Sequence, residues 1–310
     1  MTPPVATVEA DSTVLRGTGV GLRVRWLGAV AYREAWALQQ ALHADLAGTG
    51  EDRLLLLEHP PTYTLGRNAD PSNVLVDLAS VGAESVQVDR GGDVTFHGPG
   101  QLVAYPILTL PTKGQIPGGL PDTPGYIALL EQVLIDTIRE LGLDGVGRQD
   151  RCPGVWVAPN TPRARKIAAI GVRIERGRSL HGIALNVSTD MGWFDHIVPC
   201  GIADKGVTSL AAEGVDVEMR TVVDAFVAAF QSYWQPGWSD RSDVVWRHTQ
   251  ADLAPFSRGE GPGTPTGGAN APRPTAATAT VPATPAHDAS GGTSVRLLGR
   301  LAEAGVSQSV

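Results

Sequence analysis

The sequence predicts an α+β fold in which helices pack around a mixed β-sheet. Three observations lead to it. Short runs of apolar residues at every second position are interleaved with longer stretches at helical spacing. Two of the short runs, residues 170–175 and 180–187, are separated by a turn around Gly177, which marks a hairpin and not a strict strand–helix alternation. Apolar residues make up 42% of the 310-residue chain, enough for a core, yet no apolar run approaches the length of a membrane span.

Residues 1–18, rich in Thr, Pro and Val without a period, are expected to be a flexible tail, and one folded domain is expected over residues 19–248. Leu22, Val24 and Trp26 alternate with Arg23 and Arg25, as in a half-buried strand. Ala31, Ala35, Leu38, Leu42 and Leu46 recur at helical spacing, and Gly48 and Gly50 stop that helix. Residues 54–57 are wholly apolar, as in a central strand covered on both faces. Two prolines exclude a helix from residues 59–67. His59, Tyr63 and Arg67 on that irregular segment either line a pocket or belong to an ordinary surface loop. Residues 85–89 and 102–110 read as strands, and residues 111–125 as a Pro/Gly-rich loop. Residues 126–141 read as an amphipathic helix with Ile127, Leu130, Leu134, Ile138 and Leu141 on one side and Gly142 as its stop. Residues 154–158 form a brief strand, and Val223, Phe226, Val227, Phe230 and Trp234 mark a final core helix. From residue 249 Ala, Thr, Pro and Gly take over. Such a stretch cannot bury enough surface to offset its ordering entropy, so residues 249–310 are expected to be a disordered extension, with a short helix or nothing over 294–310.

The formal charge of −7 excludes a general nucleic-acid binder. Two cysteines, Cys152 and Cys200, are too few for a disulfide framework and point to a reducing, cytoplasmic compartment. Residues 1–18 lack the basic and apolar blocks of a secretory signal. The chain has three lysines, Lys113, Lys166 and Lys205. Each is of interest because lysine, unlike arginine, can give up its proton.

The chain is organised around Arg90-Gly91-Gly92-Asp93-Val94-Thr95-Phe96-His97-Gly98-Pro99-Gly100-Gln101. This connection is longer than a plain turn needs and carries an arginine, a threonine and a histidine among glycines that let a ligand approach the backbone. Downstream, Cys200 is set between Pro199 and Gly201, a context that presents a side chain more readily than it packs one. Cys152 precedes Pro153-Gly154, so local sequence does not choose between the two thiols. A free thiol, with a pKa of about 8.5, needs a cation or base beside it to act as a nucleophile. Lys166, which closes the basic run Arg163-Ala164-Arg165-Lys166, is one candidate, and His97 and His181 are the others.

Residues 90–101, the segment Lys166-Ile167-Ala168-Ala169-Ile170-Gly171 and the turn Pro199-Cys200-Gly201 together resemble the octanoyltransferases of lipoate synthesis, the lipoyl(octanoyl) transferase family. The likeness spans residues 22–234, including 59–67 and 154–157, and rests on three separated motifs in the right order. It implies an acyltransferase with Cys200 as nucleophile and acyl carrier and Lys166 as its activator. It implies a substrate pocket carried by Arg90, Gly91, Gly92, Asp93, Val94, Thr95, Phe96 and His97, by Ala169, Ile170 and Gly171, and by Gly182, Ile183 and Ala184. It implies octanoyl-acyl carrier protein as donor and lipoyl domains of 2-oxoacid dehydrogenases and the glycine cleavage H protein as acceptors, with no metal, no cofactor, no nucleic acid and no membrane. The expected architecture is that shared by lipoate–protein and biotin protein ligases, related to class II aminoacyl-tRNA synthetases.

The residues suit that chemistry. A covalent intermediate splits an encounter between two carrier proteins into two docking steps, and passing an acyl group from thioester to amide runs downhill without ATP. An octanoyl chain buries methylenes worth ~5 kcal/mol at ~0.8 each, which suits an apolar tunnel. Gly92, Gly171, Gly182 and Ala184 are expected to leave room for it. Acyl carrier proteins are acidic, so Arg23, Arg25, Arg163, Arg165 and Arg173 are candidate docking residues. Three rivals stay open: a lipoate–protein ligase, which needs ATP and not Cys200; a thioesterase using Cys200 with His97; and a non-catalytic acyl-binding protein.

Overall fold

A computed structural model of the protein describes residues 21–116, 118–150, 152–199 and 205–243. The two expected flexible ends, and Cys200 with Gly201, lie outside the described residues. In chain order the elements are β1 (Leu22–Ala29), α1 (Tyr32–Thr49), β2 (Asp52–Glu58), β3 (Thr62–Leu65), β4 (Glu84–Gln87), β5 (Val94–His97), β6 (Gln101–Ile107), α2 (Thr123–Glu140), β7 (Val146–Gln149), β8 (Cys152–Val157), β9 (Arg165–Glu175), β10 (Arg178–Asn186), β11 (Gly206–Val207), α3 (Met219–Trp234) and β12 (Ser239–Asp243).

Among the described residues the strands form a nine-stranded sheet in the order β12-β1-β2-β6-β10-β9-β8-β7, with β11 also on β9, and a three-stranded sheet in the order β4-β3-β5. The large sheet is mixed. β1 pairs in parallel with β2 and β12, while β2, β6, β10, β9 and β8 pair antiparallel in succession. β1, α1 and β2 thus make one parallel crossover unit, β7 to β10 pair antiparallel in chain order, and β2–β6 and β6–β10 join strands distant in the chain. This is the α+β architecture that the alternation of elements predicts.

The apolar run in β2 has its reason in the layers. Leu54 and Leu56 join the core beneath α2 and α3, and Leu55 and Leu57 join the core beneath α1. The apolar face of α3 is buried as its spacing predicts, with Phe226, Phe230 and Trp234 succeeding one another at 6.2 and 6.3 Å between ring centroids. The β9–β10 hairpin turns through Arg176 and Gly177, both at positive φ (51° and 76°), the mirror-image turn that matches strand twist. No described helix is long and apolar enough to cross a membrane.

Three local expectations need correcting. Gly48 lies inside α1, and Gly50 alone, left-handed with its N–H on the Leu46 carbonyl, ends it. The expected loop 111–125 runs into the start of α2. Asp122 caps the helix by accepting from the Gly125 N–H, and Pro124 sits in the first turn, where no N–H is needed. The segment 59–67 and the glycine loop 90–101 are not wholly irregular, because β3 and β5 lie within them and pair antiparallel, Tyr63 opposite Phe96. Prolines and glycines flank both strands so closely that their apolar alternation is too short to read, and the pairing between them decides the structure.

Candidate active site

A cavity of about 500 Å³ opens between the β9–β10 hairpin and the chain from Arg90 to His97. Every expected substrate-binding position except Phe96 lines it: Arg90, Gly91, Gly92, Asp93, Val94, Thr95, His97, Ala169, Ile170, Gly171, Gly182, Ile183 and Ala184. Strand alternation explains the exception. Thr95 and His97 face the cavity, whereas Phe96 turns into the core of the small sheet, stacked on Trp193 at 5.1 Å and edge-on to Phe194. The sequence reading missed Tyr32, Asn68, Tyr105, Ile127, Pro153 and Val172 in the lining. Tyr105 carried a weak signal, a polar-tipped ring in an otherwise apolar strand. His59 lies behind the wall, and Tyr63 is core.

The glycines do different work from that expected. A Cβ on Gly182 would meet the Ala104 carbonyl oxygen at 2.0 Å, so Gly182 permits the close approach of β6 and β10 and not merely room for a chain. A Cβ on Gly171 would meet Arg90 Cδ at 3.0 Å, so that glycine lets the Arg90 side chain lie across β9. Arg90 is buried, and its guanidinium donates to the Thr64 carbonyl (2.7 Å), to Thr64 Oγ1 (2.9 Å) and to the Gly91 carbonyl (2.9 Å). It ties the loop to β3. Asp93 does the same on the other flank, accepting from the N–H groups of Val94 (2.7 Å) and Asp70 (3.1 Å).

The polar groups of the cavity form directed chains. Thr64 Oγ1 donates to His97 Nε2 (3.3 Å), His97 Nδ1 donates to Gln101 Oε1 (2.8 Å), and Gln101 Nε2 donates to Asn186 Oδ1 (2.9 Å). Asn186 Nδ2 in turn donates to the Thr208 carbonyl (2.9 Å). Burial above all, and then the neighbouring His59, hold His97 well below the ordinary histidine range. His97 is therefore a neutral link with both nitrogens engaged, an arrangement that suits a positioning role better than that of a general base. Burial also pushes His59 down to about 4. The Val30 carbonyl can only accept (2.7 Å), so Nδ1 of His59 carries its proton and Nε2 accepts from the Tyr105 hydroxyl (2.7 Å).

Lys166 sits near the start of β9, 8% exposed, with Nζ 4.9 Å from the centroid of the Trp156 ring. Trp156 is its register partner on β8, and the Trp156 indole N–H donates to the Cys152 carbonyl (3.1 Å). Lys166 lines both the large cavity and a narrow extension of about 20 Å³, whose other walls include Thr95, Ala169, Ala184, Phe194 and Pro199. Both arms of chain around residues 200–204 are anchored. Upstream, Val198 N–H donates to the Asn73 carbonyl (2.8 Å), and the Tyr63 hydroxyl donates to the Trp193 carbonyl (2.7 Å). Downstream, Val207 pairs with Lys166, and Thr208 N–H donates to the Lys166 carbonyl (2.9 Å). Cys152 also lines the large cavity.

The candidate docking arginines are mostly engaged within the protein. Arg23 bonds Glu51 (2.9 Å), Arg25 bonds Asp240 (2.6 Å), Arg165 bonds Glu213, and Arg173 bonds Asp89 and Glu175. Arg163 is exposed. Among the described residues no cluster of His, Cys, Asp or Glu is arranged to hold a metal ion.

The lipoyl protein ligase A/B catalytic domain model matches residues 31–231, so the fold is that of this class of catalytic domain. The octanoyltransferase of Corynebacterium jeikeium is 47% identical over 214 residues, 67% of this chain and 83% of that one. That of Mycolicibacterium gilvum is 43% identical over 222 residues, 71% and 88% of the two chains. Among solved structures, the bi-partite lipoate protein ligase of Thermoplasma acidophilum superposes with a TM-score of 0.58 at 17% identity, covering 75% of this chain and 88% of that one. Lipoate-protein ligase A bound with ATP gives 0.58 at 17%, covering 75% and 90%. At such identity these two show the fold alone. The chain belongs to the octanoyltransferase family and is an acyltransferase.

Proposed function

We propose that this enzyme takes an octanoyl group from octanoyl-acyl carrier protein onto Cys200 and passes it to a lysine of a lipoyl domain, as in 2-oxoacid dehydrogenases and the glycine cleavage H protein. The Cys200 thiol gives its proton to Lys166, and the sulfur attacks the donor thioester. The tetrahedral adduct collapses, and the carrier thiol leaves with a proton returned from Lys166. The acceptor amine then attacks the Cys200 thioester, an amide forms, and the Cys200 thiol is regenerated. Atoms balance without ATP.

One observation carries the reading: Pro199 and Lys166 share the walls of the narrow extension. In the sequence Cys200 follows Pro199 directly, and Lys166 is the titratable side chain on the walls of that extension. The cavity that adjoins this point has the mostly apolar lining an alkyl chain needs, with Ile170, Val172, Ile183 and Ala184 among its walls. A titratable amine and an apolar chamber thus adjoin each other beside Pro199, the residue that precedes Cys200 in the sequence. The two cysteines, too few for a disulfide framework, support a cytoplasmic site of action.

Cys200→Ser and Lys166→Ala are each expected to lower transfer from octanoyl-acyl carrier protein by a factor of about 10² or more, while octanoyl binding survives in both. The likeness of the fold to ATP-using lipoate ligases makes one alternative concrete. Transfer that requires ATP and free octanoate, and that persists in Cys200→Ser, would replace this mechanism with a ligase.

A further inference from the structure

We propose that His181 is a specificity-determining residue that sets the depth of the acyl cavity, by holding a water molecule on its Nδ1 at the end remote from Lys166. The inference rests on the acyl-transfer reading and adds to it the residue that limits chain length.

Its first ground is the backbone. Ile183 and Leu185, at the alternate positions of β10, are buried in the core beneath α2 and α3. Strand alternation would send His181 the same way. Its φ is instead +58°, and its ring lies 6.1 Å from Trp36 of α1, on the opposite side of the sheet. A left-handed non-glycine residue inside a strand is strained and needs surroundings that hold it there. Gln39 of α1 supplies them, accepting the His181 N–H at 2.9 Å on Oε1.

Its second ground is an orphaned atom. His181 is 1% exposed and lines the cavity. Nε2 lies 2.7 Å from Asp89 Oδ1, and Asp89 is itself paired with Arg173. Burial outweighs the pull of Asp89 and lowers the tendency of the ring to charge. The carboxylate can only accept, so the single ring proton sits on Nε2 and Nδ1 is a bare acceptor. Among the described residues Nδ1 has no hydrogen-bond partner, and neither has Gln39 Nε2, a buried donor on the residue that accepts the His181 N–H. A buried acceptor and a buried donor on two residues already joined by a hydrogen bond are what a bound water satisfies.

The third ground is position. His181 pairs with Val172, and the six residues of β9 from Lys166 to Val172 span about 20 Å at ~3.3 Å per residue. From Ala169, which lines the narrow extension with Lys166, the distance is about 10 Å. An extended eight-carbon chain with bonds of ~1.5 Å spans roughly 9 Å. An octanoyl group entering beside Ala169 therefore ends at His181. A longer chain must displace the water and leave Nδ1 unpaired against hydrocarbon.

The test loads the full-length protein with octanoyl-, decanoyl- and dodecanoyl-acyl carrier protein in the absence of acceptor and follows acyl-enzyme formation. In His181→Gly, which accepts the left-handed backbone and removes the ring, the dodecanoyl-to-octanoyl ratio is expected to rise about tenfold or more, the factor that one orphaned buried acceptor represents. An unchanged ratio, with octanoyl still loading, overturns the role of His181 and leaves the acyl-transfer reading standing. No acyl-enzyme from any donor on the unsubstituted protein overturns the reading itself. If His181→Gly fails to fold, ¹⁵N-histidine spectra of the unsubstituted protein decide. The proposal expects the Nε2-protonated tautomer, with an Nδ1 resonance that moves on dodecanoyl loading but not on octanoyl loading. An Nδ1 indifferent to both overturns it.

Discussion

His59 packs against Tyr32 at 4.9 Å and has both ring nitrogens bonded, so it folds neutral. Its folded pKa of about 4 lies below the unfolded value of ~6.5. Between those values the unfolded chain binds the extra proton, so stability is unaffected above pH ~6.5 and falls as pH drops through that window. Asp52, which burial pushes up to about 6, works the other way: the folded state holds the extra proton, so its contribution improves as pH falls from about 6 toward ~4. Comparing variants separates the two. Urea titrations of His59→Gln and the unsubstituted protein should show the variant losing ~3 kcal/mol less on acidification from pH ~7 to ~4. Lys166 allows a sharper chemical test. Lys166→Arg keeps a cation near Trp156 but cannot release its proton, so octanoyl transfer should fall by about 10² or more with thermal stability nearly unchanged. Equal activity in this variant would limit Lys166 to a charge role.

At the scale of elements, the hairpin that walls the cavity depends on glycines in two distinct ways. Gly182→Ala places a Cβ against a backbone oxygen of β6 that cannot yield, and should destabilise the protein by at least ~2 kcal/mol by chemical denaturation. Gly171→Ala meets the flexible Arg90 side chain at 3.0 Å and the Gly91 carbonyl oxygen only at ordinary contact distance (3.4 Å), and should lower acyl loading with a smaller loss of stability. The elements that sequence made legible are those whose pattern is local and repeated. The apolar positions of α3 from Val223 to Trp234, the doubly buried β2, and the β9–β10 turn at Gly177 could all be read directly. β3 and β5 could not, because four-residue strands beside prolines and glycines acquire their structure from each other. Gly182 looked like room for a ligand because no sequence pattern reports that β6 passes 2.0 Å from its missing Cβ. The inward set of His181 was equally hidden, since it follows from one positive φ and a glutamine on another element.

For the whole molecule, the layers gather the cavity from distant parts of the chain. Tyr32 begins α1, Arg90 to His97 lead into and through β5, and Lys166 and His181 lie on β9 and β10. The described elements and the cavity lining all lie between residues 21 and 243. We therefore expect a chain lacking residues 249–310 to retain its transfer rate within about twofold, as a dispensable extension should. A loss beyond that would assign the extension a part in docking or assembly. The central claim is that Cys200 carries the acyl group. Intact-protein mass spectrometry after incubation with octanoyl-acyl carrier protein and no acceptor tests it most directly, with peptide mapping to locate the adduct. The account predicts one octanoyl group on Cys200, released by hydroxylamine and discharged when a lipoyl domain is added. No adduct on Cys200, with transfer appearing only when ATP and free octanoate are supplied, would contradict it.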